Sequence, residues 1–175
     1  ELFGGVPDSL RVANPISTDL DTMRPSILPT LLAAAAKNTD RGFADNALFE
    51  VGPQYQDDTA KGQKQMATGL RSGNIAPRHW ENNPRAVDVF DAKGDALAAL
   101  SAAGAPVDNL QVFTSAPGHF HPGRSGVLGL GPKNVLAAFG ELHPRVLEAM
   151  DIKGPVVAFE VFLDNIPQPK VKKGE

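Results

Sequence analysis

Two apolar stretches on either side of a Gly-Pro turn constrain the fold of this chain more than any other feature. Residues 125–130 and 134–140 flank Gly131 and Pro132, and two such runs around a glycine-containing turn predict an antiparallel β-hairpin. Residues 156–163, VVAFEVFL, are rich in β-branched and aromatic side chains, so they predict a further strand. The C-terminal half therefore contributes at least three strands to a sheet.

Further strands are predicted earlier in the chain. Residues 47–51 form a short apolar run that Gly52 and Pro53 should end, and residues 65–71 alternate weakly between polar and apolar side chains. A short strand is also predicted at residues 111–114. Clustered hairpins favour an antiparallel sheet over a doubly wound parallel one.

Three helices are predicted beside these strands. Residues 26–38 and 87–103 carry apolar side chains at helical spacing, and residues 144–150 begin with a proline suited to a first helical turn. Gly104 suits a C-cap. Gly94, inside the second helix, is expected to mark close approach of another backbone. The predicted fold class is α+β, an antiparallel sheet flanked by helices.

The composition of the chain excludes several classes of function. The 175 residues are 42% hydrophobic and 21% charged, with no cysteine and a formal net charge of −3. Disulfide frameworks and thiolate metal sites are excluded. Nucleic-acid-binding domains usually carry a basic excess, so this segment should contribute little to any RNA contact. We also expect no membrane segment and no DNA partner.

The two ends of the chain suggest a piece of a longer protein. The first residues, ELFGG, are typical of the tail of an earlier element, and the last, QPKVKKGE, are typical of a linker. We therefore expect a core domain over residues 1–167 and the start of a linker over residues 168–175.

Three histidines raise the possibility of a metal site. His119 and His121 would lie on one side of an extended segment, a spacing that some zinc sites use, and His143 follows later. No third ligand lies at a telling distance, so a polar loop with incidental histidines is the competing interpretation.

A glycine-rich stretch and two pairs of aspartates could also suggest a functional site, but each has a simpler structural explanation. Gly126, Gly129 and Gly131 could cradle a phosphate, but nucleotide-binding turns lead from a strand into a helix, and here a hairpin is favoured. Asp57 and Asp58 are adjacent and would point apart on an extended chain. Asp88 and Asp91 lie at a predicted helix start, where capping explains them without catalysis. No Ser–His–Asp arrangement is evident.

The segment at residues 121–125, HPGRS, is the most distinctive polar stretch. Arg124 could grip a carboxylate or a phosphate, or it could pin a loop by pairing with an internal acid. Taken singly, these motifs support only the prediction of a soluble α+β domain.

Several stretches taken together are more specific than any single motif. Their sequences and order resemble the beta subunit of bacterial phenylalanine–tRNA ligase; the stretches are residues 12–17, 23–32, 48–52, 87–95, 121–125 and 139–147. The resemblance covers nearly the whole chain. It points to the degenerate copy of the class II synthetase fold that this family carries beside its catalytic alpha subunit.

The resemblance implies a function for the parent complex. That complex is a cytoplasmic (αβ)₂ heterotetramer that attaches phenylalanine to tRNA(Phe) using ATP and magnesium. This domain would be a non-catalytic scaffold that binds no cofactor and packs against the alpha subunit. Transfer RNA would be bound by other parts of the complex.

The resemblance also implies which positions have lost their chemistry. Gln56 stands where an arginine would hold the ATP α-phosphate, and a neutral amide cannot replace that charge. Glu160 and Phe162 stand where glycines would open the site, and Asn165 stands where another arginine would bind the γ-phosphate. An anion and a phenyl ring there would oppose ATP. His121 and Arg124 are expected in a loop that borders this vestigial site.

A subunit interface is expected at the first long helix, which resembles the interface helix of the class. The candidate contacts are Arg24, Leu28, Leu31, Leu32 and Ala35, although the apolar ones among them could instead face the domain's own core. Two rival functions remain at this point. They are a stand-alone small-molecule or ATP-binding domain and a tRNA-contacting module.

Overall fold

The fold is a six-stranded antiparallel sheet with helices on both faces. The computed structural model describes residues 3, 5–17, 21–77, 79–81 and 83–168. Its elements are α1 (Leu28–Asp40), β1 (Asn46–Tyr55), β2 (Gln63–Ser72), α2 (Val89–Ala102), β3 (Gln111–Phe113), β4 (Phe120–Gly129), β5 (Val135–Leu142), α3 (Pro144–Ala149) and β6 (Val156–Phe162). The predicted α+β class is confirmed.

The strand order is β1-β2-β6-β5-β4-β3, and all neighbours are antiparallel. The hairpin predicted around Gly131 and Pro132 is confirmed as β4 and β5, so the glycine-rich stretch is part of a hairpin. The strongest predicted strand, β6, lies in the middle of the sheet. Its side chains are buried on both faces from Val156 to Val161, which explains its continuous apolar sequence.

Helix α1 lies on one face of the sheet over β1 and β2. Leu28, Leu31, Leu32 and Ala35 are all buried in a core shared with β2, β5 and β6. The expectation that these four side chains form a subunit interface is therefore wrong for them, because their apolar stripe covers the domain's own sheet. The exposed positions of α1 are Thr30, Ala33, Ala34, Lys37, Thr39 and Asp40.

Helix α2 lies on the opposite face, packed on β5 and β6 and reaching β2. Asp88 accepts hydrogen bonds from Phe90 N and Asp91 N, and Asp91 accepts one from Asp88 N. This reciprocal capping box confirms the predicted role of both aspartates. The expectation for Gly94 is wrong, because a Cβ placed there would meet no atom within 4 Å.

Most predicted boundaries differ from the structure by one or two residues, and two larger differences have a physical reason. Strand β1 does not end at Gly52 but runs to Tyr55, since Pro53 lies in an edge strand, where a missing N–H breaks no ladder. Strand β4 begins at Phe120, so the HPGRS segment lies within a strand, at a register shift between Phe120 and Ser125. A shift of this kind re-aims side chains within a continuous strand.

None of the helices in the described ranges is long and apolar enough to cross a membrane. Except for residue 168, the predicted linker lies outside the described residues, so it stays a prediction.

Candidate functional site

A row of polar side chains crosses the face of the sheet that carries α1. The register places Glu50 of β1 opposite Thr68 of β2, and Thr68 opposite Glu160 of β6. Side chains in register on neighbouring strands share one face. Because adjacent strands lie about 4.8 Å apart, the two glutamates are roughly 10 Å apart with Thr68 between them.

Glu160 occupies the centre of this row and is 5% exposed. Its Oε2 lies 2.8 Å from Nε2 of His119, which precedes β4. An ionised carboxylate only accepts hydrogen bonds, so the imidazole donates through Nε2 when Glu160 is charged. The His119 ring also contacts Phe3 and Phe120, with ring centroids 5.3 and 4.6 Å away. The Glu160 carboxyl group is therefore paired, and the imidazole that pairs with it is flanked by two aromatic rings.

Arg24 closes the other end of the row. Its Nη1 lies 2.5 Å from Glu50 Oε1, and its Nε donates to the carbonyl of Pro53 at 3.0 Å. A Cβ at Gly52 would lie 2.6 Å from the Arg24 Nη2 atom, so glycine leaves room for the guanidinium. Arg24 was expected at a subunit interface, but the structure shows it holding β1 within the domain.

Thr68 is fully buried and lies between the Arg24–Glu50 pair and the His119–Glu160 pair. Its hydroxyl has no hydrogen-bond partner among the described residues. A buried hydroxyl without a partner costs roughly 1–3 kcal/mol. The polar row is thus incompletely satisfied at its midpoint.

The four positions expected to be degenerate do not form one cluster. Phe162 lies on the same face as Glu160 and packs half-buried against the core. Asn165 lies beyond β6, where its amide donates to Val135 O at 2.8 Å. Gln56 is exposed at the base of the β1–β2 turn, with its N–H bonded to Gly62 O.

His121 and Arg124 brace the start of β4. Arg124 Nε lies 2.7 Å from Glu141 Oε2 on the neighbouring strand β5. Of the two alternatives for Arg124, the structure therefore shows pairing with an internal acid. The Ser125 hydroxyl donates to His121 O at 2.6 Å. Both residues were expected in a loop, but the structure places them in β4.

The three histidines do not converge on a metal site. No group of three or more His, Asp or Glu side chains suited to a metal occurs in the described ranges. His121 and His143 stack with centroids 6.4 Å apart, yet each accepts a backbone N–H at Nδ1. The Nδ1 atom of each ring is therefore already used within the backbone.

The His119–Glu160 pair is the feature that sequence reasoning missed. The sequence pattern suggests His119 only as a metal ligand, and the family resemblance suggests Glu160 only as an obstacle to ATP. Nothing local links them, because they are 41 positions apart along the chain. The buried environment of a lone glutamate in the apolar run VVAFEVFL was the one available hint that a partner must exist.

Comparison with known proteins identifies the family. The family model described as the phenylalanyl tRNA synthetase beta chain CLM domain matches residues 4–163. The chain belongs to this family. The phenylalanine–tRNA ligase beta subunit of Rhodospirillum rubrum is 56% identical over 168 residues, which cover 96% of this chain and 21% of that subunit. The beta subunit of Brucella suis is 56% identical over 174 residues, covering 97% and 22%.

Solved structures place the fold of this beta-chain domain among class II synthetases. Two structures of pyrrolysyl-tRNA synthetase from Desulfitobacterium hafniense superpose with TM-scores of 0.62 and 0.58 at 17% and 18% identity. They cover 86% and 81% of this chain, and 50% and 47% of the synthetase chains. At this identity the likeness concerns the fold alone, and it confirms the class II-like architecture. The chain spans about a fifth of the length of its beta-subunit relatives.

Proposed function

We propose that this domain is a non-catalytic scaffold within a phenylalanine–tRNA ligase beta subunit. It packs against the catalytic alpha subunit in a cytoplasmic (αβ)₂ complex, which charges tRNA(Phe) with phenylalanine using ATP and magnesium. Family membership supports the parent protein, and the buried Glu160–His119 pair supports the absence of chemistry. The rival functions have no comparable support.

The paired charges of the polar row make this face unsuited to a nucleotide. Glu160 brings a buried anion to the centre of the sheet, and its partner is His119. Arg24, the cation at the other end, is committed to Glu50 and to Pro53 O. Triphosphate binding needs cationic groups that are available to the phosphates. Occupying this face would require breaking the Arg24–Glu50 ion pair and the His119–Glu160 contact, and it would bring further negative charge beside two carboxyl groups.

The decisive experiment is aminoacylation by the assembled complex carrying Glu160→Gln in the full-length beta subunit. A scaffold residue predicts unchanged turnover per assembled complex, whereas loss of a general acid or base typically costs about 10²–10⁴-fold in rate. His119→Gln is the matched variant on the other side of the pair. A fall in turnover of that size, with assembly intact, would overturn the scaffold proposal.

The partner surface on α1 must lie on its solvent face. Ala33 and Ala34 are exposed and small, so another helix could approach closely there. We expect Ala34→Arg to weaken capture of the cognate alpha subunit by the full-length beta subunit. Ala102→Arg, at an exposed position near the end of α2, is the control. If both variants capture the alpha subunit equally well, the solvent face of α1 is not part of the interface.

A further inference from the structure

The Thr68 hydroxyl is a buried polar group that the domain's own contacts leave without a partner. No described residue hydrogen-bonds it. Its neighbours on the same face of β2, Met66 and Leu70, are buried and apolar. The side chains directly beside it in register are Glu50 of β1 and Glu160 of β6. The hydroxyl therefore lies between two carboxyl groups that are both turned to other partners.

Each of these carboxyl groups keeps one oxygen for a further ligand. Glu50 pairs with Arg24 through Oε1, and Glu160 pairs with His119 through Oε2. No described residue hydrogen-bonds the second oxygen of either group. The Cβ atoms of directly opposed residues on neighbouring strands are about 4.5–5.5 Å apart, within the reach of a glutamate side chain. Both free oxygens can therefore meet beside the Thr68 hydroxyl, which makes three oxygen ligands.

The charges of the polar row do not balance. Glu50 and Glu160 are two carboxylates, and Arg24 is the one guanidinium. A neutral His119 imidazole supplies a hydrogen bond but no charge. A buried carboxylate without a compensating positive charge is unfavourable. A proton on His119 or a cation beside Glu160 would restore the balance, but only the cation would also give the Thr68 hydroxyl a partner.

Size favours a small cation over a water molecule at this point. Solvent water does not reach the Thr68 hydroxyl oxygen. A water oxygen lies about 2.7–2.8 Å from a hydroxyl to which it is hydrogen-bonded, whereas calcium lies about 2.3–2.6 Å from its oxygen ligands. Sodium has nearly the ionic size of calcium and the same preference for oxygen. Its single charge equals the single excess charge of the row.

We propose that Thr68 Oγ1 binds a sodium ion together with the free carboxylate oxygens of Glu50 and Glu160. The three ligands belong to adjacent strands, so the ion ties β1, β2 and β6 together on the face that carries α1. The Glu50 side chain is 35% exposed. The ion therefore enters from the β1 side of the row, where water completes its coordination. This is a structural site, separate from the ligase reaction.

Thermal unfolding of the chain in different chloride salts at equal ionic strength tests whether sodium binds. Sodium chloride is compared with potassium chloride and with choline chloride, whose cation is too large for a closed site. At a tenfold excess of sodium over its dissociation constant, the melting temperature should be roughly 3–6 °C higher than in choline chloride. The increase should saturate with sodium concentration and be smaller with potassium.

Thr68→Val tests whether the hydroxyl is a ligand, because valine keeps the shape of threonine without the oxygen. Removing a hydroxyl that has no partner should raise the melting temperature. Removing a ligand should lower it in sodium chloride and abolish the difference between sodium and choline. Thr68→Ser keeps the hydroxyl, so it should keep the sodium dependence. Thr114→Val, at an exposed position after β3, is the matched control and should behave as the wild-type chain does.

Three outcomes would overturn the proposal. The first is a wild-type melting temperature that is the same in sodium and choline chloride. The second is a Thr68→Val variant that is more stable than the wild-type chain in sodium chloride, which would show that the hydroxyl has no ligand. The third is a sodium dependence that persists in Thr68→Val, which would place the ion elsewhere. None of these outcomes bears on the proposed scaffold function.

Discussion

His119 Nε2 lies 2.8 Å from Glu160 Oε2, and this contact joins the segment before β4 to the central strand β6. The two side chains are 12% and 6% exposed. Removing one partner leaves the other polar group buried without its hydrogen bond. The pair should therefore matter for the stability of the domain.

We expect Glu160→Ala to lower the free energy of unfolding by about 1–3 kcal/mol, because the His119 imidazole loses its acceptor. Glu160→Gln should recover part of the loss, since an amide oxygen can still accept from Nε2. Urea denaturation measures both variants. Glu148→Ala, at an exposed position in α3, is the control, and an equal loss in that variant would contradict the prediction.

Gly69 is required by the ring of Phe159. A Cβ at residue 69 would lie 2.5 Å from Phe159 Cε1 and 3.2 Å from Leu48 O. Gly69→Ala should therefore destabilise the domain by about 1–3 kcal/mol through overpacking. Adding Phe159→Leu should reduce the penalty. If the double variant is less stable than the sum of the two single changes, the clash with the ring is not the cause.

Gly94 shows the opposite case. It lies within α2, and a Cβ there would meet open space. Gly94→Ala should stabilise the domain by up to about 1 kcal/mol, because alanine has the higher helix propensity. Thermal unfolding measures the change. A lower melting temperature would show that the helix needs glycine for a reason absent from the described contacts.

The capping box at the start of α2 gives a further prediction. Asp88 accepts from Phe90 N at 2.8 Å, satisfying one of the helix's unpaired amides. Asp88→Ala should cost about 1 kcal/mol, while Asp88→Asn should cost less because asparagine also caps well. Urea denaturation distinguishes the two. Equal losses would mean that the charge matters and the capping bond does not.

Asp91 should make stability depend on pH in the acid range. Hydrogen bonding from Arg85 lowers the pKa of Asp91 below its usual value. Since the folded pKa is lower than the unfolded one, the stabilisation is fully present above the unfolded pKa of about 3.9 and is lost as pH falls through the folded pKa. Asp91→Asn should make the loss of stability below about pH 4 less steep.

The donor side of this pair provides the check. Arg85→Ala should flatten the same part of the pH profile, and combining it with Asp91→Asn should add little further change. Arg85 Nη2 lies 2.7 Å from Asp91 Oδ1, so the two groups should act as one unit. Additive effects would contradict that interpretation.

Local patterns predicted the local parts of this fold well. The β4–β5 hairpin, α2 with its capping aspartates and the apolar strand β6 all follow from spacing and residue type within a short window. The extension of β1 through Pro53 was missed because only the sheet order shows that β1 is an edge strand. The Pro and Gly of the HPGRS segment favour a loop over a strand, and the register shift that accommodates them in β4 depends on β5.

The site was harder to predict than the fold. The apolar stripe of α1 is formed by Leu28, Leu31, Leu32 and Ala35. Such a stripe can cover the domain's own core or form a subunit interface, and the sequence alone does not distinguish the two. Pairing of Glu160 with His119 depends on which strands are neighbours, which is set by contacts between distant segments. The resemblance to the family identified the parent protein without revealing these contacts.

The central position of β6 has a consequence for synthesis of the protein. Each flanking hairpin can form from contiguous sequence, but β6 joins them by pairing with β2 on one side and β5 on the other. The sheet is complete only when β2 pairs with β6, including Met66 with Phe162. A nascent chain on the ribosome therefore exposes two unfinished sheet edges until residue 162 has emerged, and this interval is when aggregation is most probable.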